Sequence, residues 1–417
     1  MRVVKLTPVV ERKLLGARQK QDGEAKRIAS KIIHDIHWRG DAALFAWVKK
    51  LDDIDLQRES LWISEREIRD ASKQVSCDFL RALEHAARNV RRVAEKQLPK
   101  PWTIGVEPGV KIGQIVRPID SIGCYIPGGR FALVSTLVMT VVSAKVAGVR
   151  NVQAVCPRPN AALLAAASVL GVTRIARMGG AQAIAALAYG TKRVARVDKI
   201  FGPGNRFVTA AKQLVSGDCA IDLPAGPTEA IVLATVGNPL WIAADLLAQA
   251  EHAPDAGSYL VTTSSNLARQ VQTEVARQLH QLAPTNPAHV SMKRTGAILL
   301  APSLRTACDF VNRFAPEHLS LPGDGEALLK KIHAAGTVFL GPWGAQPLGD
   351  YSTGSNHVLP TGGWARMRGG LSTADFVKCI SVQTIAHKGF LRLADTVETL
   401  AESEGLMGHR NAVRVRR

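Results

Sequence analysis

The chain has 417 residues, 46% hydrophobic and 21% charged, with 53 basic against 35 acidic side chains and a net charge of +18. That length exceeds one core and suggests two or three domains at roughly 150 residues each, and the composition is that of an ordinary soluble globular protein. The basic excess raises nucleic acid as a partner, but Lys and Arg are spread along the chain, aromatics make up only 5%, and no basic run is interleaved with the aromatics of a stacking platform; the charge reads as a cationic surface that attracts acidic metabolites, with no nucleic acid as partner.

The six cysteines, Cys77, Cys124, Cys156, Cys219, Cys308 and Cys379, form no CxxC pair and are too sparse for a disulfide scaffold. A thiolate metal site is not expected, and a reducing, cytoplasmic compartment fits. The opening "MRVVKLTPVVERK" lacks the apolar core of a signal peptide, and no run approaches a membrane span, so no membrane partner is expected.

Residues 1–18 read as a separate N-terminal segment, and 19–98 as helical. "SEREIRDASKQV" starts with Ser64 and Glu67 at capping-box spacing, and Phe79, Leu80, Leu83 and Ala87 then mark the apolar face of an amphipathic helix. From about 111, β-branched runs alternate with Ala/Leu-rich helical stretches: "KIGQIVRPI" before "STLVMTVVSAKVAGV", "NVQAVCP" before "NAALLAAASVLGV", "RIARM" before "AQAIAALAYGT", "VDKIFG" before "NRFVTAAKQLV". Strand–helix alternation means parallel sheets with crossover helices. It resumes after 228 with "EAIVLATV", a helix through 252, "GSYLVTTS", a helix near 265–283, "TGAILLAPS" and "GTVFLG". Residues 348–363 read as a Gly/Ser/Asn/Pro loop and 372–410 as a helical tail.

Three turns follow predicted strands: "YIPGGR" (125–130), "GGAQA" (179–183) and "FGPGN" (201–205). At the carboxyl ends of parallel strands, glycine lets backbone N–H groups approach a phosphate, and the next helix lends its dipole. No G-x-G-x-x-G fingerprint is present, and singly each turn reads as a tight turn needing positive φ; three turns pointing the same way weaken that reading. Gln249 and His252 in "LLAQAEH" are spaced i and i+3, on one helical face; the pair is either a helix end with a stabilising imidazole or part of a metal site. A site needs further ligands, for which Asp350, His357 and His409 are the candidates. Glu317 and His318 in "FAPEHLSL" are adjacent acid–base groups, suited to a reaction that moves more than one proton, or else ordinary polars after Pro316.

The segments "YIPGGRFALVSTLVMTVVSAKVAGV", "MGGAQAIAALAYGT", "VDKIFGPGNRFVTAAK", "IDLPAGPTEAIVLA", "ADLLAQAEH", "FAPEHLSL", "GDYSTGSNHVLPTGGWAR", "LSTADFVK" and "GHRNAV" together resemble the histidinol dehydrogenase family, in the family's order, from about residue 25 to 413. The resemblance implies an α/β fold of two Rossmann-like parallel-sheet domains, one inserted in the other: residues 19–124 with 228–371 for the catalytic and metal residues, 125–227 for NAD, and a 372–417 tail that reaches the partner of an intertwined homodimer. It implies four-electron oxidation of L-histidinol to L-histidine through a bound aldehyde, the last step of histidine biosynthesis, with NAD as oxidant and one Zn²⁺ per subunit. Gln249, His252, Asp350 and His409 match the metal ligands, and Glu317 and His318 the catalytic pair. Tyr125, Gln182 and Asn205 match the NAD contacts. Thr228 and Glu404 match substrate contacts, alongside His318 and the metal ligands. The chain departs from the family at "ARMRGGLST", which brings in Arg368, at Thr235 and at Ala253. Arg368 keeps open a related zinc/NAD dehydrogenase for another small alcohol, an anionic diol among them; Glu404 favours a cationic amine.

Overall fold

The computed structural model describes residues 1–18, 22–128, 133–223, 226–323 and 325–417. Two parallel sheets dominate them. The first runs in the order Arg2–Lys5, Ala297–Leu300, Gly257–Thr262, Glu229–Leu233, His318–Leu321, Thr337–Leu340. The second runs Ile175–Ala176, Asn151–Val155, Ser121–Tyr125, Lys199–Phe201, Ala220–Ile221. Apart from the added N-terminal strand, each sheet has the doubly wound order 3-2-1-4-5, with a switch point beside its first strand. The second sheet lies wholly between the N-terminal strand of the first and its resumption at Glu229, so one unit is inserted in the other.

Alternation along the strands sorts the core of the first sheet. Ile231, Leu233, Val261, Leu299, Leu319 and Leu321 face the helix Leu304–Phe314 and the N-terminal helix Pro8–Arg18. Val232, Leu260 and Ile298 point the other way, onto Pro239–Ala250 and Ser265–Gln281. In the inserted unit the helices Gly180–Tyr189 and Val134–Ala147 are apolar nearly all round and buried, as crossover helices of a two-faced sheet must be.

Four segments differ from expectation. Within the tail expected to be helical, "VKCISVQTI" forms the strand Val377–Ile385, because β-branched residues alternating with polar ones have period two. It pairs antiparallel with Val110–Pro118, which also pairs with Trp102–Glu107. "KIGQIVRPI" therefore belongs to this three-stranded sheet, and the strand that leads into Val134–Ala147 is Ser121–Tyr125, ahead of the expected boundary at 125. The helices Gly23–Arg39 and Asp41–Asp52 pack on the inserted unit's helices Gly180–Tyr189 and Arg206–Val215 although they precede it in sequence. Finally, Arg2–Lys5 of the N-terminal segment is an edge strand of the first sheet. No described helix is long and apolar enough to cross a membrane.

Candidate active site

The expected acid–base pair stands at the amino end of the first sheet's switch point. Ala315 has the left-handed conformation (φ 49°, ψ 69°) and turns the chain out of the helix Leu304–Phe314. Pro316 and Glu317 follow, and His318 opens a strand in register with Ala230 on one side and Thr337 on the other. Glu317 and His318 are 7% and 3% exposed, so two ionisable groups are held almost out of water.

A directional hydrogen-bond chain surrounds Glu317. Its Oε2 accepts from the Thr228 hydroxyl at 2.5 Å and from the Glu229 N–H at 3.0 Å. Having donated to a carboxylate, Thr228 must accept, and Gln249 Nε2 donates to it at 2.9 Å. Gln249 Oε1 in turn accepts from Gln346 Nε2 at 2.7 Å. The chain fixes which way the Gln249 amide faces. Burial pushes the Glu317 carboxyl above its ordinary range, against the opposing pull of His318, Thr228 and the Glu229 N–H.

His318 lies between two carboxylates: Nδ1 is 3.7 Å from Glu317 Oε2, and Nε2 is 3.7 Å from Asp350 Oδ1. Both distances are too long for hydrogen bonds, and among the described residues neither ring nitrogen has a partner. Burial alone would lower the imidazole's proton affinity; Glu317 and Asp350 outweigh it and hold the pKa above its ordinary value. For Asp350, burial is opposed by His318, His357 and His252, and the carboxyl stays below its usual range. Asp350 stands in the short helix Gln346–Tyr351 rather than in the expected open loop; Pro347 in the first turn starts that helix.

Gln249 is fully buried in the last turn of Pro239–Ala250, whereas His252 lies just beyond the helix end and is exposed. His252 Nδ1 is 3.0 Å from the Ala248 carbonyl, which can only accept. Nδ1 therefore carries a proton, which in the neutral ring leaves Nε2 the lone pair that a metal-ligating imidazole needs. His357 does not compete: its Nδ1 meets the Asp350 carbonyl at 2.9 Å and its Nε2 the Thr136 hydroxyl at 3.3 Å. Gln249, His252 and Asp350 are an amide oxygen, an imidazole nitrogen and a carboxylate, donor types that zinc takes, while among the described residues no three His, Cys, Asp or Glu side chains gather closely enough to hold a metal ion. Glu404, at the C-cap of His387–Ser403, and His409, in Met407–Arg414, are exposed on the tail, and among the described residues no hydrogen bond or ion pair joins either side chain to Gln249, His252 or Asp350.

The expected cofactor residues come together at the carboxyl ends of the inserted sheet. Tyr125 ends its first strand, and its hydroxyl accepts from the Gly180 N–H at 3.2 Å. Gln182, fully buried, donates to Asp52 Oδ2 at 2.9 Å, and that carboxylate also accepts the Gly179 N–H at 3.0 Å. Gln182 Oε1 is left as a buried acceptor with no partner among the described residues, suited to a ligand donor. Asn205 caps Arg206–Val215 by accepting from the N–H groups of Phe207 and Val208. At Gly202 (φ 114°) an added Cβ would lie 2.1 Å from the Tyr125 carbonyl oxygen, so the chain passes there only as glycine. Buried beneath, the Lys212–Asp222 ion pair grips this turn: Asp222 Oδ2 accepts the Gly202 N–H at 2.7 Å, and Lys212 Nζ donates to the Gly202 carbonyl at 2.8 Å. A switch point of this kind, with a glycine turn that a ligand can approach, is where doubly wound sheets bind nucleotides, here without the glycine fingerprint. Gly129 and Arg130 of the first turn lie outside the described residues.

Arg368 does not point a free cation at this site. Its guanidinium is held by both Asp375 oxygens at 2.9 and 2.8 Å and by the Asp222 carbonyl at 2.7 Å. Reasoning on the sequence alone also missed Asp52, Gln346, Glu229 and Arg18. Only Glu229, beside Thr228 in "PTEA", carried a signal, as a lone carboxylate entering a buried strand.

Two doubly wound parallel sheets, one with a glycine turn and the unpartnered Gln182 oxygen at its switch point and the other with a buried acid–base pair, are those of a two-unit α/β enzyme. The family model described as Histidinol dehydrogenase matches residues 16–417. A histidinol dehydrogenase of Methanothermobacter thermautotrophicus is 45% identical over 394 residues, covering 92% of each chain. That of Aquifex aeolicus is 43% identical over 396 residues, covering 94% of this chain and 93% of its own. The crystal structure of histidinol dehydrogenase from Elizabethkingia anophelis, 38% identical, superposes with a TM-score of 0.93 over 100% of this chain and 98% of that one. The chain belongs to the histidinol dehydrogenase family.

Proposed function

We propose that the chain oxidises L-histidinol to L-histidine in two dehydrogenation steps, with the aldehyde held between them, as the last step of histidine biosynthesis. The observation that carries this reading is the buried Glu317–His318 pair, whose two groups have separate surroundings and so separate tasks. His318, with both nitrogens free of hydrogen bonds, accepts the alcohol proton in the first step. Glu317, fixed by Thr228 and the Glu229 N–H, takes a proton from water as it adds to the aldehyde, and the resulting diol is oxidised in the second step. A carboxyl raised by burial is a stronger base once ionised, which suits that role. Tyr125, Gln182 and Asn205 would hold NAD⁺, which would supply the hydride acceptor.

Gln249, His252 and Asp350 of one chain, with His409 of its partner, would hold one Zn²⁺, whose chemistry is to bind and orient the substrate's nitrogen atoms. Glu404 of the same tail would meet the substrate's ammonium by a charge-assisted bond. Two observations support a homodimer in which the tail crosses over. Glu404 and His409 are exposed. The three-stranded sheet beside the tail also leaves Trp102, Ile104, Val106, Ile380 and Val382 between 41% and 54% exposed, more apolar surface than an isolated sheet leaves in water. In this reading the first sheet's unit carries the catalytic and metal residues, the inserted unit carries the cofactor, and the enzyme works in the cytoplasm.

The test is NADH formation with L-histidinol against a panel of anionic diols, each with and without chelator. The reading predicts two NADH per histidinol consumed, loss of turnover on chelation and no turnover of the diols. Absence of histidinol turnover by metal-loaded protein would overturn it.

A further inference from the structure

The last described residue of the N-terminal helix, Arg18, has no part in the reaction proposed above, yet its guanidinium is 10% exposed and lies beside the catalytic turn. Its Nε donates to Glu229 Oε2 at 2.7 Å, and its Nη2 to Glu229 Oε1. Its Nη1 donates to the Phe314 carbonyl, and Nη2 lies 3.5 Å from that of Ala315. Its plane stacks on the Phe314 ring, 3.7 Å from the centroid. One rigid fork therefore bridges two strands at their amino ends: Glu229, whose N–H holds Glu317, and the left-handed Ala315 turn, whose next two residues are Pro316 and Glu317.

That turn needs holding. Ala315 carries a Cβ in a conformation that alanine rarely adopts, and it is fully buried. Such a backbone persists only where its surroundings over-determine it. Glu229 supplies the other half: it is 5% exposed, burial pushes its carboxyl up to about 7 against the pull of Arg18, and the Gly362 N–H donates to its Oε1 at 3.1 Å. A lysine would keep the charge but lose the planar fork that reaches a carboxylate and a carbonyl together.

We infer that Arg18 is a positioning residue for the catalytic pair: its guanidinium ties the Phe314–Ala315 turn to Glu229 and so fixes where Glu317 and His318 stand. The inference rests on the assignment of proton transfer to Glu317 and His318.

Full-length, metal-loaded protein is assayed with histidinol and NAD⁺ as wild type, Arg18→Lys, the double variant Arg18→Met/Glu229→Gln, and Glu317→Gln as control. The double variant removes both buried charges together, so it avoids the unpaired carboxylate that Arg18→Met alone would leave. If Arg18 positions the pair, both Arg18 variants lose about tenfold or more in kcat per folded site, while KM for NAD⁺ and zinc content stay within about twofold of wild type. A kcat within about twofold of wild type in either Arg18 variant, with only a lowered thermal midpoint, overturns the inference and leaves Arg18 a structural counter-charge. Should the double variant not fold, Arg18→Lys decides alone. Full retention of both half-reactions by Glu317→Gln would overturn the underlying assignment, and the inference with it.

Discussion

Thr228→Val keeps the side chain's shape and removes the hydroxyl through which Glu317 and Gln249 communicate. Two hydrogen bonds go, the 2.5 Å donation to Glu317 and the 2.9 Å bond accepted from Gln249. A hydrogen bond to a charged acceptor contributes about 1.5–3 kcal/mol. Glu317 keeps only the 3.0 Å bond from the Glu229 N–H, so its carboxyl, already raised by burial, rises further. The other charged groups that face it, His318, Glu229 and His252, are untouched. The base is then ionised only at higher pH, and the acidic limb of kcat for aldehyde oxidation moves to higher pH. Gln249 Nε2 meanwhile loses its acceptor in a fully buried position, at a cost of about 1–3 kcal/mol. The sign of the pH effect on stability follows from linkage. With its pKa above the unfolded value, Glu317 binds a proton in the native state that the unfolded chain has released. Its favourable contribution is present at low pH and is lost as pH rises through the native pKa; that pKa is higher still in the valine variant, so the variant's deficit widens as pH rises past the wild-type native pKa. Rapid-mixing kinetics of aldehyde to histidine across about pH 5–9, with denaturant titrations over the same range, measure both quantities. An unmoved acidic limb together with unchanged stability would refute the hydrogen-bond chain as the device that tunes Glu317.

Glu317→Gln should spare alcohol-to-aldehyde oxidation more than the second step, with aldehyde accumulating in single-turnover analysis; equal loss of both contradicts the division of roles. His409→Asn should strip the metal, with zinc falling well below one per subunit by elemental analysis. Mixing His409→Asn with His252→Asn subunits should restore activity, since one site of each heterodimer receives an intact set of ligands, and no recovery after demonstrated subunit exchange speaks against a shared site. Phe376→Ala removes a fully buried ring stacked on Phe201 at 4.0 Å, where the tail joins the inserted unit, and should lower unfolding free energy by about 3–5 kcal/mol in denaturant melts.

The alternating strand–helix texture made the two parallel sheets legible, because a strand buried on both faces reads as a short β-branched run. The sheet order was not legible, since nothing local in "EAIVLATV" says which later strand lies beside it. "VKCISVQTI" was lost between two helical stretches; its alternation was there to be read, but a single exposed strand has weak patterning when its partners lie far off in sequence, at Val110–Pro118. In the site, Glu317, His318, Gln249 and His252 stood out as polar groups in apolar surroundings, and the family resemblance joined them to Asp350. Asp52, Gln346 and Arg18 did not stand out. Their roles come from reaching another element across the fold, as Asp52 reaches the Gly179 turn and Gln346 reaches Gln249, and that reach leaves no trace in local spacing. Arg368 shows the converse. It was conspicuous as a departure from the family pattern, yet its charge is taken up by Asp375.

Anomalous diffraction at the zinc edge, on crystals grown with histidinol, tests the central claim most directly. The account predicts one peak per subunit within bonding distance of Gln249, His252 and Asp350, with His409 arriving from the partner subunit and His318 beside the substrate alcohol. An active, metal-loaded crystal whose zinc lies away from those donors, or whose His409 serves its own chain, would contradict it.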